Sequence, residues 1–190
     1  MKKLLIIGII LITICLSLTI YKEFINPIVN IHDITNTGLK TENKRVYLNA
    51  TFVAGAITND NDNGYYVIFG DGVQYIIYIS NEKAKLLNSY LLDNPDDYKR
   101  IEGVTKIIPT WIEENGKKFT NSWLDNNHSH NEEEKDHVHD ITTDEFYQYY
   151  GYVYLDTNIG IDIIKIIIYI TGITGALFIL QYINTKYKLL

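Results

Sequence analysis

What most constrains this chain is the segregation of its charge. All 23 aspartates and glutamates fall from Glu23 to Asp162, and the ends outside that span are almost pure hydrocarbon. Residues 4–20 carry no charge, and residues 163–183 carry only Lys165. A helix rises ~1.5 Å per residue, so the first run alone reaches roughly 25 Å, close to the thickness of a bilayer core. Soluble helices of this length keep a polar stripe, and neither run has one. The pattern predicts two membrane-spanning helices holding one polar domain. A buried helix of a soluble protein is the alternative for the second run.

The expected organisation is a transmembrane signal anchor over residues 1–22, a polar domain over 23–160, and a second transmembrane helix with a short tail over 161–190. Lys2 and Lys3 form the positive start of a signal sequence. No small-x-small cleavage pattern follows the apolar run, and Thr13-Ile14 before Cys15 lack the small residues of a lipoprotein signal, so the anchor reads as uncleaved. Lys186 and Lys188 follow the second run. Positive flanks at both outer ends predict cytoplasmic termini and an extracytoplasmic centre. Lys22 and Lys165 point the other way, but Glu23 and Asp162 match them. Tyr169 and Tyr182 fall where interfacial aromatics belong. Gly172, Gly175 and Ala176 place small residues on adjacent turns, and Gly172 and Ala176, four apart, suggest close packing against the first helix through Gly8, or against a second copy of the chain.

The central span holds 11 basic against 23 acidic side chains, a net of −12 compared with −6 for the whole chain. Such a domain is a poor nucleic-acid binder, because backbone affinity comes from neutralising phosphates with Lys and Arg. Its natural partners are cations or the basic patch of another envelope protein. Cys15 is the single cysteine, so no intramolecular disulfide forms and no thiolate metal site exists.

Hydrophobic period organises the centre. Residues 45–57 are rich in β-branched and aromatic side chains and predict a long strand, with Gly55 marking a bulge. Residues 59–64 are a turn cluster. Residues 65–69 and 73–79 predict strands joined by Gly70-Asp71-Gly72. Ser80 offers an N-cap to a helix bearing Ala84, Leu87, Leu91 and Leu92, ended by Asn94-Pro95. Residues 99–108 return to strand. Strand, strand, strand, helix, strand is the order of an OB-fold, with residues 152–155 as the fifth strand. The expected fold class is α+β: a small OB-like barrel with added helices, flanked by the two apolar helices. One added helix covers 109–124, with Thr110 and Glu113 as a capping box. Another opens at the box Thr142–Glu145. Their aromatics Trp111, Trp123 and Phe146 are expected to be buried against the barrel.

The strings RVYLNATFVAGAI, YYVIFGDGVQYIIYISNEKAKLLN, RIEGVTKIIP and ITTDEFYQYYGYVYLDT cover most of the central domain. Together they resemble a family of uncharacterised bacterial proteins with two transmembrane helices and a small OB-like extracytoplasmic domain. The resemblance lies in folding residues and implies a topology, not an activity.

One constellation bears on chemistry. Within an acidic loop over 125–140, His128, His130, His137 and His139 form two His-x-His pairs. In extended chain, residues i and i+2 point the same way, so each pair offers two imidazoles on one side. Four imidazoles suit Zn²⁺ or another divalent transition metal, with Glu133, Asp136 and Asp140 as further oxygen donors. The opposing reading is a solvated acidic loop. His32 is expected to be solvent-exposed in a juxtamembrane linker.

Residues 59–64 do not open an EF-hand, since Gly70 stands where calcium needs a bidentate glutamate. There is no phosphate loop, no G-x-S-x-G elbow and no H-E-x-x-H. No catalytic residue is assigned and no cofactor other than the metal. The sequence therefore predicts a non-enzymatic, membrane-anchored protein that displays an acidic domain for binding or assembly in the cell envelope. The expected binding face is the second and third strands, with Tyr66, Tyr75 and Tyr78 as surface aromatics. A metal-capturing protein and an enzyme without a recognisable motif are the alternatives.

Overall fold

A computed structural model describes residues 2–35, 40–127, 140–158 and 163–187. The elements run α1 (Lys2–Ile20), β1 (Val29–Asn30), α2 (Ile31–Thr35), β2 (Arg45–Asn59), β3 (Asn63–Gly70), β4 (Val73–Ser80), α3 (Asn81–Asp93), β5 (Lys99–Ile107), α4 (Thr110–Asn127), α5 (Thr143–Tyr150), β6 (Val153–Asp156) and α6 (Ile163–Tyr187). The chain divides into two compact units: residues 1–27 with 160–190, and Ile28–Ile159.

In the first unit, Lys2–Phe24 and Ile164–Tyr187 are both long and apolar enough to cross a membrane, and almost none of either is buried. Ile6, Ile10, Leu16, Ile170, Ile173 and Leu180 all stand open. The two helices meet where glycine lets them. A Cβ at Gly8 would lie 3.0 Å from the Gly175 carbonyl oxygen, and one at Gly175 would lie 3.0 Å from that of Gly8. Small-residue packing therefore centres on Gly8 and Gly175, while Ala176 faces outward. Gly172 lies against the Cys15 sulfur.

The second unit is α+β, built on one six-stranded mixed sheet in the order β1-β2-β3-β4-β6-β5, with a further β2–β5 pairing. Long β2 serves two neighbours. Residues 45–50 pair antiparallel with β5, and residues 50–59 pair antiparallel with β3. The change occurs across register shifts at Ala50/Phe52 and Val53/Gly55. Gly55 takes a φ of +155°, which a side chain would resist, and the Phe119 ring packs over it. At the β3–β4 turn Asp71 and Gly72 both have positive φ, as a two-residue hairpin with right-handed strand twist requires. Four-residue β6 is hydrogen-bonded on both edges, parallel to β4 and antiparallel to β5.

Alternation gives the sheet two buried faces. Tyr75, Ile77 and Ile79 of β4 join Leu48, Ile68 and Leu155 in a core that also takes Ala84, Leu87 and Leu91 from α3. Ile76, between them in sequence, joins Val67, Ile112, Phe146 and Tyr150 in a second core under α4 and α5. Ser80 caps α3 through the Lys83 N–H, and Asn94 ends it, as the sequence predicts. Leu92 departs from expectation and is exposed.

Two further departures have physical causes. Residues around His32 are not a bare linker. Val29 and Asn30 pair with β2, Ile31 is fully buried, and His32 Nδ1 lies 3.0 Å from the hydroxyl of buried Tyr75. The Thr142–Glu145 capping box forms, but Glu113 does not close one with Thr110. Its carboxylate turns inward to Lys117, Thr143 and Tyr147, which offer stronger partners than an exposed helix end.

Candidate functional site

The two added helices decide which part of the sheet stays open. α4 and α5 bury Val67 and Ile76 in the middle of the β3–β4 face. The broad strand face expected to bind is therefore covered. Tyr75 points into the first core, fully buried, and Tyr66 is half-buried there, its hydroxyl donating to Asn81 Oδ1 at 2.9 Å. Of the three tyrosines expected at the surface, Tyr78 borders an aromatic cleft, while Tyr75 lines only a small pocket of about 60 Å³ beside Thr35 and Gly151.

That cleft, of about 300 Å³, lies at the end of the hairpin, where the cover stops. Thr58, Asn59 and Asp60 of the β2–β3 turn form one side; Tyr65, Tyr78 and Trp111 supply aromatic walls. Tyr65 is the hub. Its ring lies 4.7 Å from that of Tyr78, 5.2 Å from Tyr154, and 5.3 Å from Trp111 at an interplanar angle of 85°. Trp111, expected in the core, is 49 % exposed, because it stands in the first turn of α4 beyond the last covered strand residue. Phe146 is buried as expected, and Trp123 packs partly buried near Phe69.

The polar side of the cleft is held in place. Asp60 Oδ1 accepts from the backbone N–H groups of Asn63 (2.7 Å) and Asp62 (2.9 Å). The Asn81 amide donates to the Asp60 carbonyl at 2.7 Å, and the Asn158 amide donates to Asn63 Oδ1 at 2.7 Å. The N–H groups of Asn63 and Asp62 hold the Asp60 carboxyl below the usual carboxylate range, so it is ionised at neutral pH. Burial, then the negative field of Asp60, Tyr65 and Asp156, raises the Tyr78 phenol. Burial and its bond to Tyr65 raise the Tyr154 phenol further. None of the eight lining residues is basic. Rings around a fixed carboxylate can bind and orient a ligand.

A second groove, about 460 Å³, lies between α3 and β5, lined by Leu86, Leu87, Tyr90 and Ile101 with Lys83, Lys99 and Arg100. Two of its cations are already engaged: Lys99 over the Tyr90 ring, and Arg100 over Tyr47 and against Glu102.

The histidines His128, His130, His137 and His139 lie outside the described residues. Among the described residues no group of three or more His, Cys, Asp or Glu side chains is arranged to hold a metal ion. Sequence reasoning missed Tyr65 and misplaced Trp111. The one available signal was the adjacency of an aromatic strand start to the polar turn at 59–64. No family model, curated protein or solved structure matches this chain.

Proposed function

We propose that this chain is a non-enzymatic, membrane-anchored binding protein of the cell envelope. Both apolar helices span the bilayer, with both termini cytoplasmic and the acidic domain outside. The lysines at the outer ends support that orientation. The domain is an OB-like barrel with two helices added. Three features support this reading: the return pairing of β2 with β5, the parallel β4–β6 pair, and α3 between β4 and β5.

The observation that carries the binding function is the Tyr65–Tyr78–Trp111 cleft. Three aromatic side chains stay accessible at the mouth of a turn that hydrogen bonds make rigid, and preorganised aromatic surface is what recognition sites use. The test is photocrosslinking in cells, with benzoylphenylalanine at position 111 and at exposed Leu92 as control. A discrete adduct from position 111 and none from position 92 supports the reading. Equal adducts from both positions refute a site at the cleft, and none from either refutes a macromolecular partner there.

The two His-x-His pairs support a second reading, capture of Zn²⁺ or a similar ion by the acidic loop at 125–140.

A further inference from the structure

We infer that the Tyr65–Tyr78–Trp111 cleft binds a small organic ammonium ion against its aromatic walls and the Asp60 carboxylate. This rests on the binding reading above and names the ligand class for that site.

The argument begins with charge. A ligand entering the cleft meets Asp60 on its wall and the field of Asp156 nearby, with no lysine or arginine lining the site. The domain over 28–159, with 21 acidic against 11 basic side chains and a net of −10, adds an attractive background for a cation and a repulsive one for an anion. Phosphates and carboxylates are disfavoured on both scales. The α4 N-terminus beside Trp111 adds a partial positive charge, about half an elementary charge against the full negative charge of Asp60.

The walls then select among cations. A metal ion needs several charged oxygen or nitrogen donors; here Asp60 is the one carboxylate among the lining residues, its Oδ1 already accepts two backbone N–H groups, and three of the eight residues are aromatic. An ammonium carrying methyl or methylene groups is large and weakly hydrated, so it gains from ring quadrupoles and from apolar contact together. Tyr65 and Trp111 stand nearly perpendicular, so two rings close a corner, and Tyr78 completes a third side. Asp60 is fixed by two backbone N–H groups through one oxygen, Oδ1. A volume of about 300 Å³ admits a trimethylammonium headgroup without requiring the sheet to move.

The same chemistry occurs in free solutes and in lipid headgroups, and the experiment separates them. The full chain, with Trp123→Phe so that Trp111 is the only indole, is placed in phosphatidylglycerol nanodiscs. It is then titrated with choline and with 3,3-dimethylbutan-1-ol, the uncharged isostere. Saturable quenching by choline, at least tenfold tighter than any response to the alcohol, is expected. Asp60→Asn keeps the acceptor oxygen of the turn and removes the charge, and Trp111→Leu removes a wall; each should weaken choline by roughly tenfold. Tyr78→Phe keeps the ring and should bind within about twofold of the parent. Co-flotation of these nanodiscs with phosphatidylcholine liposomes, and not with phosphatidylglycerol liposomes, identifies a lipid headgroup. Choline binding without flotation identifies a free solute.

Equal responses to choline and the alcohol, or choline affinity unmoved by Asp60→Asn, overturn the inference. Failure here with a position-111 crosslink retained leaves a binding site of other chemistry. Loss of the crosslink with choline binding intact refutes the envelope-partner reading instead.

Discussion

Glu113 offers the sharpest test of how the added helices are fixed. Its side chain is 11 % exposed, and its carboxylate accepts from Lys117 Nζ (3.1 Å) and Thr143 Oγ1 (2.8 Å) on one oxygen and from Tyr147 OH (2.8 Å) on the other. Thr143 and Tyr147 belong to α5, so one carboxylate pins α5 to α4. A hydrogen bond to a charged group contributes roughly 1.5–3 kcal/mol. The three are not additive, because exposed Thr143 and partly exposed Lys117 recover water when the carboxylate is lost. Glu113→Ala is therefore expected to cost about 2–4 kcal/mol, and Glu113→Gln, which keeps the shape, about half that. For a domain of this size about 3 kcal/mol corresponds to a fall in Tm of roughly 10 °C.

The pH dependence has a definite sign. Burial alone would raise the Glu113 carboxyl; the bonds from Thr143, Tyr147 and Lys117, with the lysine charge, outweigh it and hold the carboxyl below its ordinary value. A depressed carboxyl stabilises the fold above its unfolded pKa and loses that contribution as pH falls through the lower folded value. The stability gap between the parent and Glu113→Gln should be constant at neutral pH and close below about pH 4.5. The assay is thermal unfolding of the full chain in detergent, followed by near-ultraviolet circular dichroism from pH 7 to 3. A cycle with Tyr147→Phe should cost about 1 kcal/mol alone and almost nothing once Glu113 is Ala. Glu113→Ala melting with the parent, or a gap unchanged to pH 3, would refute the pin.

Other predictions address the remaining parts. Gly172→Cys should oxidise with native Cys15 to an intramolecular crosslink, because the new Cβ falls 3.1 Å from the Cys15 sulfur; only intermolecular dimers on a non-reducing gel would break the α1–α6 pairing. Reporter fusions at His139 and Leu190 should be active outside and inside respectively, and the reverse result overturns the orientation. Zn²⁺ titration of untagged protein against a variant with His128, His130, His137 and His139 all changed to Ala should show binding only in the parent if the loop captures metal. Equal, weak binding by both ends that reading.

The contrast between two similar motifs shows what sequence could and could not reveal. Thr142–Glu145 and Thr110–Glu113 share one local pattern, but only the first becomes a capping box. Which one closes depends on whether the glutamate finds a better partner thirty residues away, and that is tertiary information. Strands β2 to β5 were legible because alternation and turn residues act locally. Short β1 and α2 were not: their stability comes from Ile31 entering a distant core. The site was half legible. Tyr78 could be named, but Tyr65 reads like any strand tyrosine until α4 and α5 stop covering the sheet beside it. The histidine loop was the clearest chemical signal in the sequence, and it lies outside the described residues.

Strand β6 sets the order in which the fold can be completed. Residues 153–156 fill the place between β4 and β5, and among the described residues no other strand joins those two. Until they emerge during synthesis, β4 and β5 each keep an unpaired edge, the condition under which sheets seek the wrong partner. The last strand is followed within ten residues by α6. Completion of the sheet and arrival of the second apolar helix thus come almost together. A chain halted before residue 153 would carry most of its hydrophobic core and still have an open seam, so the domain is built to be finished only when its second apolar helix is about to follow.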